Sequence, residues 1–295
     1  MIKKSTPDPT VIRDPKTNIY YLYGTEDTRN IPIYQSKDLV NWELSGTVFT
    51  DNTRPNGNIW APEISRIKNK YVLFYSLWNG NVWDSWIGYA VADSPKGPFV
   101  NKGAIIQSRD IGVEQSIDQY YYEEGGKSYM FWGSFRNLYA VELDVTDNLA
   151  ITAKKETKQQ IAGNAFEGTN IYKHNGYYYL FASIGNFEDD TYRTVVGRST
   201  SLLGPYADKK GKLMLNNGYE FVLGNSEQFY GLGHNAGLVE DDANQTWMLY
   251  HGYETQTKKG RYVFLDQVKW DEQGWPYIQG GVPSMGAEAP IINKE

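Results

Sequence analysis

Asp8, Glu63, Asp118, Glu167 and His234 lie far apart in the chain, yet each stands where a short strand-like run opens in a repeated pattern. These side chains do proton chemistry: a carboxyl donates, accepts or holds a proton, and an imidazole hydrogen-bonds or ligates. Cleaving a glycosidic bond usually takes two carboxyl groups. One is protonated and serves the departing oxygen; the other is ionised and activates water or attacks the sugar carbon. A third carboxylate beside the acid raises its pKa by like-charge repulsion. Asp8, Asp118 and Glu167 could supply these three parts, with Trp60, Trp132 and nearby tyrosines excluding water. Taken singly, each has a plainer reading. Asp8, before Pro9, can cap a turn; Asp118, between Ile117 and a tyrosine run, can sit in a buried ion pair. Glu167, between Phe166 and Gly168, can be an ordinary strand-edge residue, and Glu63 can hold a sugar hydroxyl or face solvent.

Only a fold that gathers the five openings makes the chemistry possible. The pattern recurs at roughly 50 to 65 residues, the period of a repeat architecture. Each copy has a polar residue, a short strand, a turn signal and an aromatic-rich strand; the turns fall at 16–18, 68–70, 124–127, 174–176 and 241–245. Four copies continue into a second hairpin and the third has a shorter one, so each copy reads as a four-stranded blade. Apolar positions at helical spacing are scarce. An all-β, five-bladed β-propeller is therefore expected over residues 1–295 as a single domain. A β-sandwich with chance similarity between strands is the alternative. In a propeller the first strand of each blade lies nearest the axis, so the five openings would meet at one mouth of the central channel.

Composition narrows the partner. The chain has 295 residues with 24 Tyr and 9 Trp, side chains with an apolar face and a polar tip that suit sugars. A formal charge of -6 without a basic run argues against nucleic acid. The absence of cysteine removes disulfides, Cys-ligated zinc and thiol nucleophiles. No apolar stretch approaches the roughly 20 residues of a membrane span. The opening MIKKSTPDPT has no apolar signal core. It fits a cytoplasmic protein or a mature extracellular or periplasmic one, and the abrupt start before Pro7 and Asp8 favours the second.

Other signals are weaker. Arg13, Asp14 and Pro15 spell a motif of fructan-cleaving propellers, but its companion motif is missing and it falls in a turn. Arg193 could reach a sugar hydroxyl, though a solvated loop suits it as well, and His251 could reach the cavity from the end of an inner strand. Trp78, Trp83 and Trp86 read as a loop that either stacks on sugars or packs between blades. No Gly-x-Ser-x-Gly elbow supports serine hydrolase chemistry.

Asp8–Pro9 before a strand, the Trp-Ala-Pro-Glu of residues 60–63, the Ser-Ile-Asp of 116–118, and Glu167 ahead of the Gly-Tyr-Tyr-Tyr of 176–179 together resemble glycoside hydrolase family 43 over nearly the whole chain. That resemblance implies a five-bladed propeller and inversion in a single displacement. It makes Asp8 the general base, Glu167 the general acid, and Asp118 the residue that tunes and orients the acid. Segments 131–144, 191–211, 231–237 and 270–278 look most like the arabinan-cleaving branch. This implies action on α-1,5-linked L-arabinan of the plant cell wall by a monomer, and a hydrated calcium ion near His234. A neutral His234 bonded to a catalytic carboxylate is the other reading of that residue. The departures Gln119, Gly168, Thr169 and Glu63 leave room for a β-xylosidase or α-L-arabinofuranosidase acting on xylan. A non-catalytic sugar-binding propeller is disfavoured by the retention of both Asp8 and Glu167.

Overall fold

Runs rich in Tyr, Val, Ile and Phe form short antiparallel strands, because β-branched and aromatic side chains pack well on a pleated surface. The computed structural model describes residues 1–25 and 30–293, which form five antiparallel sheets radiating as the blades of a propeller. Blade 1 is built from Thr10–Arg13, Tyr20–Tyr23, Pro32–Ser36 and Glu43–Thr47. Blade 2 takes Asn58–Ile67, Lys70–Trp78, Ser85–Ala92 and Val100–Gln107. The inner strands of blades 3, 4 and 5 start at Tyr120, Glu167 and Phe229. Among the described residues the one α-helix is the four-residue Ser108–Ile111.

Five apolar clusters hold the ring, one in each seam between neighbouring blades. Tyr23, Ile33, Leu73 and Leu77 belong to the seam of blades 1 and 2. Tyr20, Leu22, Leu249 and Val263 belong to the seam of blades 5 and 1. Among the described residues no blade takes strands from both chain ends, so side chains and loops close the circle. Thr6 N–H donates to Arg261 O at 2.8 Å, and Arg261 N–H to Ser5 Oγ at 3.0 Å. Arg13 and Asp242 add a two-pronged pair. Asp14 caps its turn, accepting from Thr17 and Tyr71, so the Arg-Asp-Pro segment is structural.

At the mouth the chain makes the same bend in each blade. Asp8, Ala61, Asp118, Gly168 and His234 all have positive φ, between 43° and 63°. Four of these five are not glycine, a conformation that needs outside support. In four of the bends the N–H is caught by a side chain of the preceding blade. Ala61 N–H donates to Thr25 Oγ1 at 2.8 Å, and Asp118 N–H to Ser76 Oγ at 2.9 Å. His234 N–H donates to Ser183 Oγ at 2.7 Å, and Asp8 N–H to His251 Nδ1 at 3.1 Å. Gly133 occupies the corresponding place in blade 3 and has no side chain; the Gly168 N–H goes to the Asp118 carboxylate instead.

This register corrects one expectation. The residue of blade 2 that matches Asp8 and Asp118 is Ala61, and Glu63 lies two residues deeper, level with Thr10 and Tyr120. Thr10 Oγ1–H donates to Glu63 Oε2 at 2.7 Å. Burial pushes the Glu63 carboxyl up to about 8, against the Thr10 bond that lowers it. The tryptophan-rich stretch is also less of a loop than expected. Trp78 ends one strand and Trp86 lies within the next, packed on the blade 1–2 core.

A carboxyl whose folded pKa lies above its unfolded value of about 4.3 favours the folded state at low pH, and that advantage fades as pH rises toward the folded value. Glu63→Gln cannot ionise. Its thermal midpoint relative to wild type should therefore rise between about pH 5 and pH 8, with a free-energy slope of up to about 1.4 kcal/mol per unit. A constant difference across that range would show that Glu63 does not titrate there.

Candidate active site

The bends bring Asp8, Asp118 and Glu167 to one cavity of about 290 Å³, whose wall also includes Thr25, Trp60, Gln115, Ser134, Phe187, His234 and Arg261. Asp8 and Asp118 are each 7% exposed and Glu167 9%. Carboxyls so buried need partners, since a charge removed from water is costly unless compensated. Asp8 has the most. Thr25 Oγ1–H donates to its Oδ2 at 2.7 Å, and Arg261 donates to its Oδ1 at 3.2 Å. The Nδ1 atoms of His234 and His251 lie 3.4 and 3.3 Å from the same Oδ1. Burial by itself would raise this carboxyl. Arg261, then His234, outweigh it and hold Asp8 well below the usual carboxylate range.

The other two behave oppositely. Burial first, then the charges of Glu167 and Asp8, push Asp118 well above the usual range. Burial also raises Glu167, with Asp8 adding to the rise; His234 and bonds from Tyr192 and Ser134 oppose it. Those bonds are Tyr192 O–H to Oε1 at 2.6 Å and Ser134 O–H to Oε2 at 2.8 Å. The pair Asp118 and Glu167 thus keeps a proton at pH values where Asp8 has lost its own. One cavity holds an ionised carboxylate and a protonated carboxyl together, the division of labour that acid–base hydrolysis requires.

Trp60 lines the cavity, and Trp78 stacks behind it with ring centroids 5.6 Å apart, so Trp78 steadies the platform. His234 lines the cavity as expected. His251 does not; it is fully buried beneath Asp8, and burial together with Arg261 moves its pKa down to about 4. Glu63 is outside the lining for the register reason given above. Arg193 is also outside it, turned to donate to Thr191 O at 3.1 Å. The cation at the site is Arg261, which lies 4.4 Å from the Phe187 ring centroid. Nothing in the sequence around Arg261 marked it, because its partner Asp8 is 253 residues away. Thr25 and Ser134 carried a faint signal: each follows an aromatic-rich second strand.

Two departures from the family pattern have structural reasons. Gln119 bridges blades 2 and 3, accepting from Ser76 and donating to Ala61 O. At Gly168, φ is +63° and an added Cβ would come within 3.1 Å of the His234 ring, so even alanine would be strained.

Known proteins share both the sequence and the architecture. The extracellular exo-α-(1→5)-L-arabinofuranosidase ArbA of Cellvibrio japonicus is 31% identical, over 92% of this chain and 85% of its own. The extracellular endo-α-(1→5)-L-arabinanase 1 of Bacillus subtilis is 29% identical, over 91% of this chain and 86% of its own. The structure of a Cellvibrio cellulosa α-L-arabinanase with arabinohexaose superposes with a TM-score of 0.81 at 29% identity, covering 93% of this chain and 95% of that one. The family model for glycosyl hydrolases family 43 matches residues 1–276, and the chain belongs to that family.

Proposed function

We propose that this enzyme cleaves α-1,5-linked L-arabinan by single displacement with inversion, using Asp8 as general base and Glu167 as general acid. The observation that carries the reading is the opposed proton affinity of Asp8 and the Asp118–Glu167 pair around one cavity. Asp8 takes a proton from a water molecule, whose oxygen then bonds to the anomeric carbon. Glu167 gives its proton to the glycosidic oxygen as that carbon–oxygen bond breaks. Asp118, whose carboxylate accepts the Gly168 N–H beside Glu167, orients the acid and shares the proton of the pair with it. Trp60 offers an apolar face to a sugar ring, and Arg261 holds Asp8 ionised. Arabinan is favoured over xylan because relatives over most of the chain are named for it. Two of them are named extracellular, which supports a secreted enzyme working on the plant wall. The cavity lining comes from one chain, so a monomer suffices.

The reading includes a calcium ion beside His234. Among the described residues no three His, Cys, Asp or Glu side chains form a cage for a metal. The site fits a hydrated ion, with His234 as its protein donor and water completing an oxygen-rich shell. The buried Oδ1 atoms of Asn235, next to His234 in the chain, and of Asn170, which donates to Asn235 O, have no hydrogen-bond partner and suit ordered water. A bound cation would supply positive charge near the carboxylates.

Four experiments test this. Chromatography of products from debranched arabinan, arabinoxylan and xylan should find arabinose or arabino-oligosaccharides from arabinan, and turnover confined to xylan would overturn the substrate. Glu167→Gln should lower kcat on natural arabinan by about 10²–10⁴-fold, as loss of general acid catalysis does. Asp8→Asn should abolish hydrolysis with the fold intact by circular dichroism; wild-type rates in either variant would remove that residue's role. Chelation verified by elemental analysis should reduce activity, and added calcium restore it. Full activity in the metal-free protein would leave His234 as a hydrogen-bonding neighbour of Asp8.

A further inference from the structure

The side chains that hold the mouth bends follow a rule with one exception. Thr25, Ser76 and Ser183 catch the N–H of the next blade with a short hydroxyl. The fourth holder, behind Asp8, is His251. A hydroxyl suffices to satisfy a backbone N–H, so the imidazole does something the other blades do not need. Its Nδ1 lies 3.1 Å from Asp8 N. The N–H can only donate, so Nδ1 carries the lone pair and the ring proton is on Nε2.

The ring cannot drift. It is fully buried, stacked on Tyr192 with centroids 5.8 Å apart and planes 10° from parallel. Tyr192 itself donates to Glu167 Oε1. One rigid aromatic pair therefore touches both sides of the reaction, the backbone of Asp8 and the carboxylate of Glu167. Asp8 needs this more than its counterparts. Its φ is +53°, and the direction of its carboxylate follows from that bend. A bend released by even an ångström would misplace the base relative to the attacked carbon, and small misplacements of that kind are costly in rate.

We propose that His251 is the positioning residue of Asp8, locking the left-handed bend through Nδ1 and keeping the carboxylate aimed into the cavity. The proposal rests on the reading of Asp8 as the base. Its test compares His251→Leu, which fills similar space without an acceptor, with His251→Asn, whose Oδ1 can stand near the position of Nδ1. With debranched arabinan, His251→Leu should lose at least ~30-fold in kcat while KM stays within about threefold. His251→Asn should recover kcat to within about fivefold of wild type. The proposal falls if His251→Leu keeps kcat within about threefold, or if His251→Asn is as slow as His251→Leu. If the leucine variant does not fold, His251→Gln takes its place, since its amide oxygen reaches past the Nδ1 position. Asp8→Asn, assayed alongside, separates the two ideas. Activity in Asp8→Asn overturns the base assignment itself, whereas an inactive Asp8→Asn beside a fully active His251→Leu overturns only the positioning role.

Discussion

The contact between Arg261 and Asp8 is where the architecture and the chemistry depend on each other. Asp8 precedes the first strand of blade 1 and Arg261 comes from blade 5, so the pair exists only when the ring is closed. The backbone around Arg261 also closes the ring, bonding to Thr6 and Ser5. Without that counter-charge the pKa of a carboxylate only 7% exposed would rise, because burial alone drives it upward. Closure of the fold is thus what keeps a buried carboxylate ionised.

The same cavity raises its other two carboxyls for a complementary reason. Arg261 and His234 lie against Asp8, while Glu167 has His234 and neutral hydroxyl donors but no guanidinium, and Asp118 feels two negative neighbours. Three acids of similar intrinsic strength are thereby split into one ionised carboxylate and one proton-holding pair. The division comes from placement of partners, since all three are buried to a similar degree.

Much of this was readable before any coordinates. Five turn-punctuated hairpin pairs told the blade number, and the polar residues opening them pointed to Asp8, Asp118, Glu167 and His234. The misses share one cause. Glu63 aligned with the others by its place in a motif, but the bend that blade 2 shares with the other blades falls at Ala61, two residues before it. Arg193 looked suitable as a cation near the site, and its side chain instead turns back to its own loop. Trp78 and Trp86 were read as lying in a loop because their run is polar, whereas both belong to paired strands.

Local pattern determined what repeats: the period, the alternation of turn and aromatic strand, and the acidic residues that open the blades, because these are set within one hairpin. Tertiary structure decided what differs between blades. Which acid meets Arg261, which bend is held by an imidazole instead of a hydroxyl, and which glutamate faces the cavity or hides below it all depend on bulges and on contacts across the ring closure. Such contacts join residues up to some 250 positions apart, and no short-range spacing records them.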